Sequence, residues 1–373
     1  MGRVSQVTDV GGGWTTYTYN QNDVLVEVGP AATGESTKKR QLEYDALGRL
    51  TSVCEVTSGT GSGNCGQTSS QTGYWTKYTY DTLDNLLTVT QNAQSGTTQA
   101  RTYVYDMLGR VTSATDPESG TTTYTYDSIA SGDCAGNYKG DLIKRADAFP
   151  TPNTNVTCYT YDSLHRLKDV TYPTGSYASV TAQKHFVYDA ATVNSVVMSN
   201  AKARLAEAYT GTSASKITDL GFSYSLRGEV ADLYQSTPNS AGYYHAIASY
   251  WANGLVNVLK LQNTAQTPAD FIPPITYAPE GEGRTNTVSA ATGQTPVTGT
   301  AYNDLTGQPA GVIFGSSDSD AFTYDPNTGR MTEYNFTVNG SSVIGNLTWN
   351  TNGTMGALGI TGPFNASNAQ TCK

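Results

Sequence analysis

Arg101-Thr102-Tyr103-Val104-Tyr105-Asp106-Met107-Leu108-Gly109-Arg110-Val111 is a β-hairpin written along one line of sequence. Tyr103 and Tyr105 stand two apart, so on a strand both rings share one face. Asp106 closes that strand, because its carboxylate can accept a backbone amide two residues on and fold the chain into a type I turn. Gly109 then takes the left-handed conformation that completes such a loop without a Cβ clash. Arg110 and Val111 begin the return strand.

The same frame recurs along the chain. Tyr44-Asp45-Ala46-Leu47-Gly48-Arg49-Leu50 and Tyr161-Asp162-Ser163-Leu164-His165-Arg166-Leu167 are close copies. Tyr80-Asp81 runs to Asp84-Asn85-Leu86, and Tyr324-Asp325 reaches Gly329-Arg330-Met331 with one residue added. Tyr19-Asn20, Tyr224-Ser225, Tyr250-Trp251, Tyr277-Ala278, Tyr302-Asn303 and Trp349-Asn350 keep the frame and lose the Asp. Tyr126-Asp127 resumes only at Gly140-Asp141-Leu142, and Tyr188-Asp189 only at Ala203-Arg204-Leu205, which places long insertions in those two turns. Nine of the twelve intervals between successive anchor aromatics, from Tyr19 to Trp349, lie between 21 and 27 residues. A fixed period of that length signals a repeat architecture, too short for a propeller blade and suited to one hairpin per repeat.

Tyr-Asp-x-x-Gly-Arg-Leu recurring in phase resembles the YD repeats of the RHS family, found in bacterial RHS proteins, in shell-forming components of insecticidal toxin complexes and in teneurins. The resemblance runs over nearly the whole chain. It implies an all-β array of antiparallel hairpins forming a spiralling sheet, part of a hollow β-shell, with a cargo or toxin segment on its C-terminal side. The chain is therefore expected to be one array over residues 1–373. Met1-Gly2-Arg3-Val4 reads as the end of a turn, and Thr371-Cys372-Lys373 parallels Thr157-Cys158-Tyr159 ahead of a Tyr-Asp. The array is expected to continue beyond both. Its more elaborate turns fall at about 126–222. Pro268, Pro273, Pro274 and Pro279 predict a surface bend over about 267–279, since proline cannot donate to a central ladder.

Composition agrees with a β wall. Charged residues make up 14% of the chain, Tyr (26) far outnumbers Phe (8), and 38 Gly punctuate the turns. An excess of Tyr suits a sheet with water on both faces, the ring packing across strands while the hydroxyl stays solvated. The net charge of −9 argues against a nucleic-acid partner, which requires a basic patch or stripe. No apolar run is long enough to span a membrane, and the first residues lack the apolar stretch of an export signal, which is expected to lie upstream if there is one.

Cys54 and Cys65 bracket a Gly/Ser-rich insertion; Cys134 lies in the turn after Asp127, and Cys158 precedes Tyr159-Thr160-Tyr161. Two disulfides are predicted, 54 to 65 and 134 to 158, each closing an insertion the ladder cannot hold. Cys372 is left to a partner downstream. Such cysteine use points to an oxidising location, outside the cell or at its surface, and with the resemblance to a bacterium. Zinc is the rival, but there is no Cys-x-x-Cys pair, and His165, His185 and His245 are scattered.

Chemistry-bearing motifs are few. Gly61-Ser62-Gly63-Asn64-Cys65-Gly66 matches a dinucleotide fingerprint in letters without the strand and helix it needs. Asp325 to Gly329 with Glu333 lacks calcium-loop spacing. Ser213-Ala214-Ser215-Lys216 is an isolated Ser-x-x-Lys. The turn acids Asp45, Asp81, Asp106, Asp127, Asp162, Asp189 and Asp325 share one capping task. The arginines that follow them, Arg49, Arg110, Arg166, Arg204 and Arg330, are expected to stack on Tyr rings or pair with acids of adjacent hairpins. The sequence thus reads as a non-catalytic wall without cofactor or metal, whose partner is the rest of its own chain. A carbohydrate-binding or adhesive surface is the alternative, and a polysaccharide-acting β-repeat enzyme a third reading.

Overall fold

The computed structural model describes residues 2–58, 65, 72–148, 154–263, 270–363 and 370–372. The fold is all-β, with no helix among the described residues and hence none long and apolar enough to cross a membrane. Successive strands pair antiparallel, both within a hairpin and from one hairpin to the next. Gln99–Tyr105 pairs with Val111–Asp116 through Thr102↔Thr115, Tyr103↔Ala114 and Val104↔Ser113, then slips by one residue so that Tyr105 faces Val111. On its other side the same strand pairs with Leu86–Gln91. The one-residue slip recurs at Tyr44↔Leu50, Tyr80↔Leu86, Tyr161↔Leu167, Tyr188↔Leu205, Tyr224↔Val230 and Tyr250↔Val256. It is the bulge that Asp-x-x-Gly demands, with the fourth turn residue in the left-handed region. Gly48 and Gly109 fill that slot at φ 82° and 74°, while Asp84, His165 and Ala203 accept it at 67°, 61° and 64°.

The chain forms two compact units. One comprises Met1–Tyr124, Phe322–Asn335 and Ser342–Lys373, the other Thr125–Ala321 and Phe336–Ser341. Within the first, repeats from opposite ends of the sequence meet. The Asp9–Gly13 turn lies against the later turns, with Arg330 Nη2 3.7 Å from Asp9 Oδ2. Gly13 is required there, since a Cβ would stand 2.3 Å from the Thr351 carbonyl oxygen.

Among the described residues neither unit has a large apolar core. Most strand residues are half-buried, as along the whole of Val111–Asp116, which is what a sheet wetted on both faces requires. Cross-strand threonine pairs hold such faces together, for example Thr79 with Thr88 at 2.7 Å and Thr115 with Thr121 at 2.8 Å. Two small apolar clusters occur in the second unit. One gathers Val193, Met198, Ala201, Ala206 and Tyr234, and the other Cys134, Ile143 and Cys158.

Three expectations need correction. Asp270–Pro279 is a strand paired on both sides, not a surface bend. Its partners explain how: Leu259 faces Ile275 and Leu261 faces Ile272, so Pro273 and Pro274 together oppose one residue and occupy a bulge, where no ladder amide is needed. Pro279 falls at the turn bulge, opposite Thr285; Pro268 lies outside the described residues. The insertion after Asp127 is an elongated hairpin, its strands continuing to Ile129 and restarting at Gly136, rather than a swollen turn. The insertion after Asp189 folds a small hairpin of its own, Thr192–Val193 with Val196–Val197. Asp189 still closes its turn across that insertion, donating its amide to the Arg204 carbonyl (3.0 Å) and accepting the Ala203 amide (2.7 Å).

Candidate functional site

The repeat residues build one recurring device, the turn clamp. In the Tyr105 copy, Asp106 Oδ1 accepts the amides of Leu108 and Arg110, both at 2.9 Å, while its Oδ2 accepts Arg110 Nε at 2.8 Å. Asp45 with Arg49 and Asp162 with Arg166 repeat this, the Nε to Oδ2 distances being 2.7 and 2.6 Å. At Asp81 the arginine slot holds Asn85, whose amide group donates to Asp81 Oδ2 at 2.9 Å. The Arg amide bond, opposed by burial and helped by the guanidinium, holds the carboxyls of Asp45, Asp106 and Asp162 below the ordinary aspartate value. For Asp81 the leading cause is the Asn85 side chain.

The far sides of Arg49, Arg166, Arg204 and Arg284 reach the next hairpin. Arg49 Nη1 donates to the Asp81 carbonyl (2.8 Å) and to Asp84 Oδ1 (2.9 Å), and its guanidinium lies 5.2 Å from the Tyr80 ring centre. Arg166 Nη2 donates to Asp189 Oδ2 at 2.7 Å and the guanidinium stands 4.4 Å from the Tyr188 ring centre. Arg204 and Arg284 stand over Tyr224 and Tyr302 at 5.3 and 4.2 Å. The bond from Arg166 is the leading reason that the Asp189 carboxyl is lowered.

A second inter-hairpin bond corrects the picture of a solvated hydroxyl. In at least seven copies the tyrosine before the turn donates its hydroxyl to a carbonyl near the start of the previous return strand. Tyr80 donates to Leu50 (2.9 Å), Tyr105 to Leu86 (2.9 Å), Tyr161 to Leu142 (2.8 Å) and Tyr188 to Leu167 (2.9 Å). Tyr224, Tyr250 and Tyr302 do the same to Leu205, Val230 and Thr285. Trp349 substitutes its indole N–H, donating to the Met331 carbonyl at 2.7 Å. Phe could not make this bond, which is why the anchor position prefers Tyr. Burial raises the phenols of Tyr80, Tyr105, Tyr161, Tyr188, Tyr224, Tyr250 and Tyr324 above their ordinary value.

The remaining named residues vary the device. Asp127 Oδ1 accepts the Gly140 amide at 2.7 Å across its insertion, after Tyr126. In the Tyr324 copy the extra residue leaves the Asp325 amide bonded to the Arg330 carbonyl (2.8 Å) while the Asp325 carboxylate takes its bonds from other turn residues. Asp325 Oδ1 accepts the Asn327 amide, and the Thr328 amide and hydroxyl, at 3.0, 2.7 and 2.9 Å, with Gly329 left-handed behind it. That is turn chemistry and not a calcium loop. Two clamps of this kind escape a search for Tyr-Asp: Glu280, whose Oε1 takes both the amide and Nε of Arg284 at 3.0 Å, and Ser225, whose hydroxyl donates to Glu229 Oε2. An acid four residues before Arg284 was the available signal. Arg284 holds the Glu280 carboxyl down at about 2, with help from the Glu282 amide.

Cys54–Cys65 and Cys134–Cys158 are disulfides, with Cα separations of 5.8 and 5.1 Å and all four cysteines buried. Each closes a loop, of 11 and 24 residues, and the chain-entropy relation gives about 3 kcal/mol apiece. The Gly61 to Gly66 motif lies outside the described residues apart from Cys65, as does the side chain of Cys372. Among the described residues no group of three or more His, Cys, Asp or Glu side chains is arranged to hold a metal.

The RHS Repeat family pattern matches residues 80–121 and 105–128, the stretch containing the Tyr80 and Tyr105 clamps. Residues 80–128 carry RHS repeats. No curated protein matches it. Solved structures similar to it include TcdB2-TccC3-Cdc42 (13% identity, TM-score 0.26, covering 91% of this chain and 23% of that one). A Photorhabdus luminescens Tc holotoxin pore carrying TccC3-D651A matches at 12% identity and TM-score 0.26, over 91% of this chain and 22% of that one. A porin-like protein from Bacteroides uniformis matches at 11% identity and TM-score 0.18, over 77% and 93%. The chain spans about a quarter of the length of the TccC3-containing chains. The Tyr, Asp and Arg side chains of the Tyr105 and Tyr161 copies bond to their own turn or to a neighbouring hairpin.

Proposed function

We propose that the chain is a non-catalytic wall segment of an RHS-type shell. In this reading it is one continuous YD array of a bacterial protein that works outside the cytoplasm, and the shell encloses or presents a segment encoded further along. The observation that carries the reading is the clamp itself. The best-formed repeats commit the Tyr hydroxyl, the Asp and the Arg to backbone or side chains of their own and the adjoining hairpin, which leaves those repeat residues no part in turnover. The two buried disulfides suit an oxidising compartment. A glycan-binding surface would need free aromatic faces, and the anchor tyrosines are already bonded and stacked by neighbouring hairpins. The test is limited proteolysis of the full-length natural protein. The segment encoded beyond the array should survive in the intact protein and be digested quickly when expressed alone. Equal digestion rates would remove the enclosing role, and saturable binding on a polysaccharide panel would favour the glycan reading.

A further inference from the structure

Lys216, the lysine of the isolated Ser-x-x-Lys, stands in an arrangement that the repeat frame does not call for. Leu205–Thr212 and Ser215–Tyr224 form one hairpin whose register slips between Thr210↔Thr218 and Gly211↔Lys216. The slip leaves Ile217 as the extra residue and reverses the order expected of a strand. Asp219, Gly221 and Ser223 form the buried face, so simple alternation would put Ile217 among them and Lys216 outside. Instead Ile217 is 48% exposed, and Lys216 is turned inward. Bulges re-aim side chains in this way. Gly211 is the residue that allows it, at φ 99°, where a Cβ would meet the Ser215 carbonyl oxygen at 2.6 Å.

What Lys216 is turned toward is a pair of buried acids. Its Nζ bonds Glu207 Oε1 on the opposite strand and lies 3.0 Å from Asp219 Oδ2 on its own. Glu207 is 7% exposed and Asp219 1%. The Tyr243 hydroxyl donates to Asp219 Oδ2 at 2.7 Å, and Tyr209, 4.9 Å from Nζ at its ring centre, walls the site. Asp219 Oδ1 is buried with no hydrogen-bond partner among the described residues. An acceptor left empty in this way is costly in a purely structural ion pair.

We propose that Lys216 and Glu207 close an intramolecular amide cross-link across this hairpin, with Asp219 as the proton acceptor. Burial pulls the Lys216 amine down, but its bonds to the two acids outweigh that, so it starts as an ammonium. Asp219 takes one of its protons. Burial pushes the Glu207 carboxyl up, which favours the neutral acid that an amine can attack. The Lys216 nitrogen then bonds Glu207 Cδ, the Cδ–OH bond breaks, and the hydroxyl leaves as water with a second proton from the nitrogen. Asp219 keeps the first proton, charge is conserved, and no oxidant or co-reactant enters.

The experiment is mass analysis of the reduced full chain, intact and after trypsin. The cross-linked chain is one water lighter than its sequence, and trypsin leaves Leu205 to Arg227 as a single peptide uncut at Lys216. Lys216→Arg, which keeps the charge and the ion pair, should return the full sequence mass. Asp219→Asn should leave the link unformed in a chain whose circular dichroism is unchanged. A wild-type chain of full mass, cut after Lys216, overturns the proposal. A fully linked Asp219→Asn chain overturns the part assigned to Asp219.

Discussion

Tyr105→Phe removes one oxygen and nothing else, and that oxygen donates to the Leu86 carbonyl of the neighbouring hairpin at 2.9 Å. The ring still packs on its face of the sheet. The net loss is therefore that of one hydrogen bond to a backbone acceptor, about 1 kcal/mol, toward about 2 kcal/mol if the carbonyl stays dry. For a unit of this size that lowers the melting temperature by about 2 to 4 °C. The internal comparison is Tyr103→Phe, two residues earlier on the same face, whose hydroxyl meets no neighbouring carbonyl among the described residues. Urea denaturation followed by circular dichroism separates the two, with the midpoint falling for Tyr105→Phe, unmoved for Tyr103→Phe and the slope equal in both. The same loss is expected at Tyr161, Tyr188 and Tyr224, which make the same bond. Equal midpoints for Tyr103→Phe and Tyr105→Phe would refute the claim that the hydroxyl, and not the ring alone, joins the hairpins.

The pH dependence should have two limbs. The turn aspartates have folded values below their ordinary 3.8, so their contribution is present above about pH 4 and is lost as pH falls further through the folded values. The anchor tyrosines are raised above 10.0, so theirs is full below about pH 10 and is lost as pH rises through the folded values; a denaturation series across pH should be flat between. Replacing Cys134 and Cys158 together by Ser should cost about 3 kcal/mol in the same assay, and reducing the wild type, which also opens Cys54–Cys65, should cost more. Gly221→Ala should cost about 1 to 3 kcal/mol through overpacking, because the added Cβ would stand 2.7 Å from Val193 Cβ, whereas Gly254→Ala meets no atom and bears only its backbone strain.

The fold was legible because the turn chemistry is local. Asp106, Gly109 and the pair of alternating tyrosines specify a bulged hairpin within eleven residues, and repetition in phase leaves one hairpin per period. The cysteines were legible because each pair brackets an insertion. What escaped was whatever depends on the neighbouring hairpin. No spacing rule says that Tyr80 reaches Leu50 or that Trp349 can stand in for tyrosine, since those bonds join strands that meet only after folding. The proline stretch was misread because a bulge opposite Lys260, decided by the register of a partner strand, turns a forbidden position into an allowed one. Likewise Lys216 is an ordinary surface lysine until the slip at Gly211 turns it inward.

The measurement that tests the coupling of hairpins most directly is native-state hydrogen exchange on Tyr188→Ala. That change removes the bond to the Leu167 carbonyl and the face on which Arg166 stacks. If hairpins are clamped to one another, exchange should quicken in Asn155–Tyr161 and Leu167–Thr174 as well as in Lys184–Tyr188 and Leu205–Thr212. Faster exchange confined to the hairpin that carries residue 188 would contradict the account.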